Sequence, residues 1–122
     1  MPFFSPLDGT WQMLRAEFNG EQAPDLVARR TTIQFSGGVY RVRFGVETAD
    51  EGTYEIAQAN SIKTLLLFGT AGTNRGKTIP CLFQQVGDRL RVCYGIDGIQ
   101  PLDFTTKTGQ NRYLATYRRI HR

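Results

Sequence analysis

The chain has 122 residues, of which 40% are hydrophobic and 21% charged. That length supports one core without disulfide or metal staples, and that balance excludes a disordered chain. The longest apolar run, Leu65 to Gly69, falls far short of the roughly 20 residues of a membrane-spanning helix. The net charge is +4 and arginine supplies 12 of the 15 basic residues, so an anionic partner has to be weighed.

Turn-forming residues recur about every ten positions and divide the chain into short β-type segments. The first segment is Thr10 to Phe18, closed by Asn19-Gly20. Pro24 to Arg29 follows as the only stretch that reads as a helix, and it is short. Thr31 to Phe35 comes next, with Ile33 and Phe35 in phase, and ends at Ser36-Gly37-Gly38. Val39 to Val46 alternates Tyr40, Val42 and Phe44 with Arg41 and Arg43, the pattern of a half-buried sheet with one wet face. Ala49-Asp50-Glu51-Gly52 reads as a turn before Gly52 to Ile56, where Tyr54 and Ile56 are in phase. Ile62 to Phe68 is followed by a long glycine-rich connection, Gly69 to Gly76. Thr78 to Gln85 and Arg89 to Tyr94 flank Gly87-Asp88. After Asp97-Gly98 and Thr108-Gly109, Arg112 to Ile120 is the eighth segment. Eight strands on short turns can close on themselves, which removes exposed edges. We expect a single domain spanning residues 1–122.

Few chemistries are supported. Two cysteines, Cys81 and Cys93, and one histidine, His121, cannot furnish a four-ligand zinc site. A nucleophile–histidine pair would depend on His121, next to the chain end. Gly69 to Thr78 ends in Gly-Lys-Thr, but its glycines are wrongly spaced for a phosphate loop and it leads into a strand rather than a helix. Glu47, Asp50, Glu51 and Glu55 read as a solvated acidic turn. We therefore expect no catalytic residue, no metal and no cofactor, and the chain is not read as an enzyme. If Val86 to Arg89 form a four-residue loop, Cys81 faces Tyr94 and the two thiols lie on opposite faces, beyond disulfide reach. A loop one residue shorter would set them opposite each other. The alternation of the arginines favours a solvated face over an anion-binding stripe, which makes a nucleic-acid partner unlikely as a sequence-based expectation. Residues 1–10 hold no basic stretch followed by an apolar one, and Pro2 and Pro6 interrupt them. No signal peptide or membrane attachment is read there, and a cytoplasmic location is expected.

Several pieces in order carry a resemblance: Leu7-Asp8-Gly9-Thr10-Trp11-Gln12, Glu51-Gly52-Thr53-Tyr54, Gly76-Lys77-Thr78, Gly87 to Tyr94, Pro101 to Lys107 with Phe104, and Arg118-Arg119. Together they resemble the bacterial, planctomycete-type lipocalin-like domain family of unknown function. The resemblance implies an all-β, eight-stranded antiparallel up-and-down lipocalin-like barrel with one short helix. It implies no activity. In such barrels the Trp after the Gly closes the floor, and Trp11 resembles that residue, with Arg118 or Arg119 placed to stack on it.

Matching phases inward gives a candidate interior of Trp11, Met13, Ile33, Phe35, Tyr40, Val42, Phe44, Tyr54, Ile56, Phe83, Leu90, Val92 and Tyr94. Within it, Trp11, Phe35, Tyr40, Phe44, Tyr54, Phe83 and Tyr94, with Gln85, are the candidate ligand-binding residues. Tyr40, Tyr54, Tyr94 and Gln85 would supply polar groups. An interior of this size either fills with side chains or holds one small apolar or amphipathic ligand, and both readings stay open here. In the family resembled, polar residues stand at the places of Leu66 and Phe68. Here both are apolar and take the outward phase, so a cover is needed. A homodimer through Leu66 and Phe68 is the simplest one.

Overall fold

A computed structural model describes residues 5–120; His121 and the first four residues lie outside that range. Eight antiparallel strands form the wall: β1 (Gly9–Phe18), β3 (Thr31–Ser36), β4 (Val39–Phe44), β5 (Glu47–Ala59), β6 (Ile62–Gly72), β7 (Thr78–Val86), β8 (Arg89–Gly95) and β9 (Arg112–Arg119). A two-residue strand, β2 (Glu21–Gln22), adds to the end of β1 outside the wall. Each wall strand pairs with the next in sequence, and β1 also pairs with β9, from Trp11 opposite Arg119 to Phe18 opposite Tyr113. That last pairing closes the sheet into an up-and-down, lipocalin-like barrel. Among the described residues no helix is long and apolar enough to cross a membrane.

The wall follows from the alternation. Trp11, Ile33, Phe35, Tyr40, Leu65, Leu67, Leu90 and Val92 are buried, whereas Gln34, Arg89 and Arg91, which alternate with some of them, are exposed. The one short helix, α1 (Asp25–Arg30), lies beside β1, with Ala28 in the core. It fits where β3 has stopped pairing with β1: that ladder ends at Gln12 opposite Thr32. The Gln12 side-chain amide holds the place by donating towards the carbonyls of Ala28, Arg29 and Thr31. The Thr31 hydroxyl closes the helix by donating to the Val27 carbonyl at 2.6 Å.

Two sequence expectations change around β5. Residues 49–52 are not a turn. The strand begins at Glu47, and the turn is Gly45-Val46, where Gly45 has φ +63° and its N–H donates to the Arg30 carbonyl. The acidic residues are therefore strung along one strand instead of clustering in solvent. Glu51 faces out and pairs with Arg41 at 3.1 Å, while Asp50 faces in and is 6% exposed. Gly52 is required here: a Cβ would collide with the Phe68 carbonyl and crowd the Tyr40 ring.

Residues 96–111 form an irregular strap between β8 and β9. Pro101 is buried, and Gln100 Nε2 donates to the Cys81 carbonyl at 3.0 Å. Phe104 lies under the Arg91 guanidinium, 3.9 Å from its ring centre. Charge–quadrupole attraction of this kind fastens the strap to the outer face of β8.

Candidate functional site

The two ends of the barrel differ. At the end where β1 begins, the interior is filled. Trp11 is fully buried, its indole N–H donates to the Leu7 carbonyl at 2.9 Å, and Arg119 lies over its ring at 4.2 Å. Arg119 also donates to the backbone carbonyls of Asp8 and Pro6. Phe35 meets Tyr54 edge-on, with ring centres 5.1 Å apart, and the Tyr54 hydroxyl donates to Asp8 Oδ1 and shares a hydrogen bond with the Ser5 hydroxyl, each at 3.2 Å.

At the other end, where β5 starts and β6 stops, the interior holds a cavity of about 210 Å³. Leu67, Ile79, Ile33 and Met13 supply apolar wall, and Tyr40, Tyr94, Tyr113 and Tyr117 supply rings and hydroxyls. Tyr94 and Tyr117 share a hydrogen bond of 2.7 Å between their hydroxyl oxygens. Burial pushes both phenols above their ordinary range, and it raises Tyr40 likewise, with the Asp50 charge adding to the effect. All three are protonated donors at neutral pH.

Among the described residues Asp50 is the single acidic or basic one lining this cup. Tyr40 Oη donates to its Oδ2 at 3.2 Å. Asn74 donates to both oxygens, from its backbone N–H to Oδ1 at 3.1 Å and from Nδ2 to Oδ2 at 2.8 Å. The turn after β6 is thus folded over the mouth. Thr73 anchors it by donating from its N–H and its hydroxyl to the Ala49 carbonyl. Gly72, at φ +85°, permits the fold, since a Cβ there would strike the Ala49 backbone.

Of the expected ligand-binding residues, Tyr40 and Tyr94 line the cup. Trp11, Phe35, Tyr54 and Phe83 are buried, but they do not line it. Phe44 is 42% exposed at the end of β4, with Arg30 over its ring at 5.2 Å, because the strand runs out before this residue reaches the interior. Gln85 sits near the β7–β8 turn, half-buried, with its amide donating to the Gly87 carbonyl at 3.4 Å, and it does not reach the cup. Leu66 and Phe68 face outward and are half-buried, while Leu65 and Leu67 face in.

Asp50, Asn74, Tyr113 and Tyr117 escaped the sequence reading. Counting back by two from Ile56 and Tyr54 reaches Asp50, so its inward phase was available once the turn was moved to Gly45-Val46. The two tyrosines flank Ala115 on the last strand, whose phase is set only by its pairing with β1 and β8.

No family model, curated protein or solved structure matches the chain. The site therefore has to be argued from its own geometry. A second hollow, about 490 Å³, lies on the outer wall between the strap and the start of β6. It is the larger of the two, but Leu102 and Ile62 on its border are 79% and 52% exposed. It is a trench on the outer surface, whereas the smaller cup gathers buried polar groups around one space inside the barrel.

Proposed function

We propose that this chain is a non-enzymatic binding domain that takes one small amphipathic molecule into the mouth of its barrel. We further propose that it belongs with the planctomycete-type lipocalin-like domains, on the residue order set out above. The cup of about 210 Å³ carries the functional reading. Sites for drug-sized ligands are larger, about 300–1,000 Å³. An apolar cavity of about 150 Å³ nevertheless accepts benzene. The ligand is therefore compact, about one ring in size. Ile96 lines the cup and is 42% exposed, which suits passage of a partly apolar molecule. The protonated hydroxyls and Asp50 would orient it.

Native mass spectrometry of gently purified protein, paired with thermal-shift screening of single-ring compounds, tests this reading. A binder held at 100 times its Kd should stabilise the fold by about 2.7 kcal/mol. Ile79→Trp, which fills the cup, should abolish the shift while the protein stays folded. An unchanged shift in that variant would place binding elsewhere and overturn the reading.

A further inference from the structure

Asp50 has hydrogen-bond donors around it but no cation. The ion pairs among the described residues join Arg41 to Glu51, Arg112 to Asp103 and Arg119 to Asp88, and none involves Asp50. Among the described residues no Lys or Arg side chain lines the cup. A carboxylate has about four acceptor positions. Tyr40 and the Asn74 amide take two on Oδ2, and the Asn74 backbone takes one on Oδ1. Oδ1 retains a lone pair at the edge of a space walled by tyrosine rings. Those rings carry negative faces that attract cations.

Resting on the cup as a binding site, we propose that its ligand is a small organic ammonium, a protonated amine carrying about one ring. The charged nitrogen sits against Asp50 Oδ1, and the carbon skeleton lies among Leu67, Ile79 and the tyrosines. Folding has already removed Asp50 from water and surrounded it with three donors, so binding adds only the desolvation of the ligand's own charge. A neutral alcohol of the same shape could use the same lone pair but would gain neither the ion-pair attraction to the carboxylate nor the attraction to the rings. A carboxylate ligand would meet Asp50 as a like charge and be excluded.

Three probes of nearly equal size separate these cases: benzylamine, benzyl alcohol and benzoate, titrated calorimetrically into the full chain at neutral pH. Methyl NMR of Ile33, Leu67 and Ile79 locates the binding. Benzylamine should bind about tenfold or more tighter than benzyl alcohol, with shifts at those methyls, and benzoate should not bind. In Asp50→Asn the preference for the amine over the alcohol should fall to within about threefold. The comparison of probes on the parent protein stands by itself if that variant does not fold. Equal binding of amine and alcohol in the cup would overturn the ammonium assignment and leave the cup as a binding site. No shift at the cup methyls with any probe would overturn both.

Discussion

Trp11 shows how a single side chain can serve an entire end of the barrel. Its ring fills the floor, its N–H is satisfied by Leu7, and Arg119 covers its outer face. Trp11→Ala removes all three contacts and should cost about 3–5 kcal/mol, as large core truncations do. Against the roughly 5–15 kcal/mol that holds a domain together, the variant should be barely folded. Urea unfolding of the two proteins checks this, and a midpoint near the parent's would show Trp11 to be peripheral. The tyrosines define a second prediction. All five, Tyr40, Tyr54, Tyr94, Tyr113 and Tyr117, are held above their ordinary value of 10.0, in each case chiefly by burial. A raised folded pKa means that the fold favours the neutral phenol. That contribution is complete below pH 10 and is lost as the pH climbs through the folded values. Tyrosinate absorbance and near-ultraviolet circular dichroism should therefore change together, in one cooperative step above pH 10. A tyrosine that titrates near 10 while the dichroism holds would contradict this.

Strands and turns were legible to different degrees. The β7–β8 hairpin has the register expected with a four-residue loop, Phe83 opposite Val92 and Cys81 opposite Tyr94, but Val86 and Arg89 also pair, so the turn is Gly87-Asp88 alone. Cys81 and Cys93 are both buried free thiols, and burial raises both above the usual thiol range. Alternation and a Gly-Asp turn are local signals that narrowed this pairing to two registers, and the observed pairing selects between them. The start of β5 could not. Asp, Glu and Gly at 50–52 are turn formers by composition, and they are held in a strand by distant partners: Asn74 on Asp50, Arg41 on Glu51 and the Phe68 backbone against Gly52. Strand β6 carries a prediction of its own. Leu66 and Phe68 lie on its outer face, between Glu55 and Thr53 of β5 and Pro80 and Thr78 of β7. A second copy laid on this face is the proposed cover for their remaining exposed surface, which would add a part of the roughly 1.5–3 kcal/mol that full burial of each side chain brings. Sedimentation should show a dimer that Leu66→Thr with Phe68→Thr converts to a folded monomer. A parent protein that is monomeric at high concentration would remove the dimer.

At the scale of the whole molecule, five of the fifteen basic residues are engaged by carboxylates or aromatic rings among the described residues. Arg41, Arg112 and Arg119 have carboxylate partners, while Arg30, Arg91 and Arg119 lie over aromatic rings. Binding to a polyanion needs many free cations on one surface, and its affinity falls steeply with salt. The protein should therefore pass through a heparin column at physiological ionic strength; retention there would revive the anion-binding reading. The closing of the barrel separates what was readable in the chain from what was not. Period-two alternation and the spacing of Gly, Asn and Asp determined by themselves that this is an all-β domain of about eight strands. Those signals act over a few residues, and each strand carries its own. Leu65 to Phe68 is apolar throughout, so the outward phase of Leu66 and Phe68 came from the family resemblance and was borne out by the strand's burial. Which end is filled, and which residues surround the remaining space, was decided by the pairing of β1 with β9 and by the turn at 73–76 folding back over Asp50. Both are contacts between residues far apart in the chain. Their geometry depends on bulges, glycine clearances and the reach of Asn74, none of which leaves a periodic trace in the sequence.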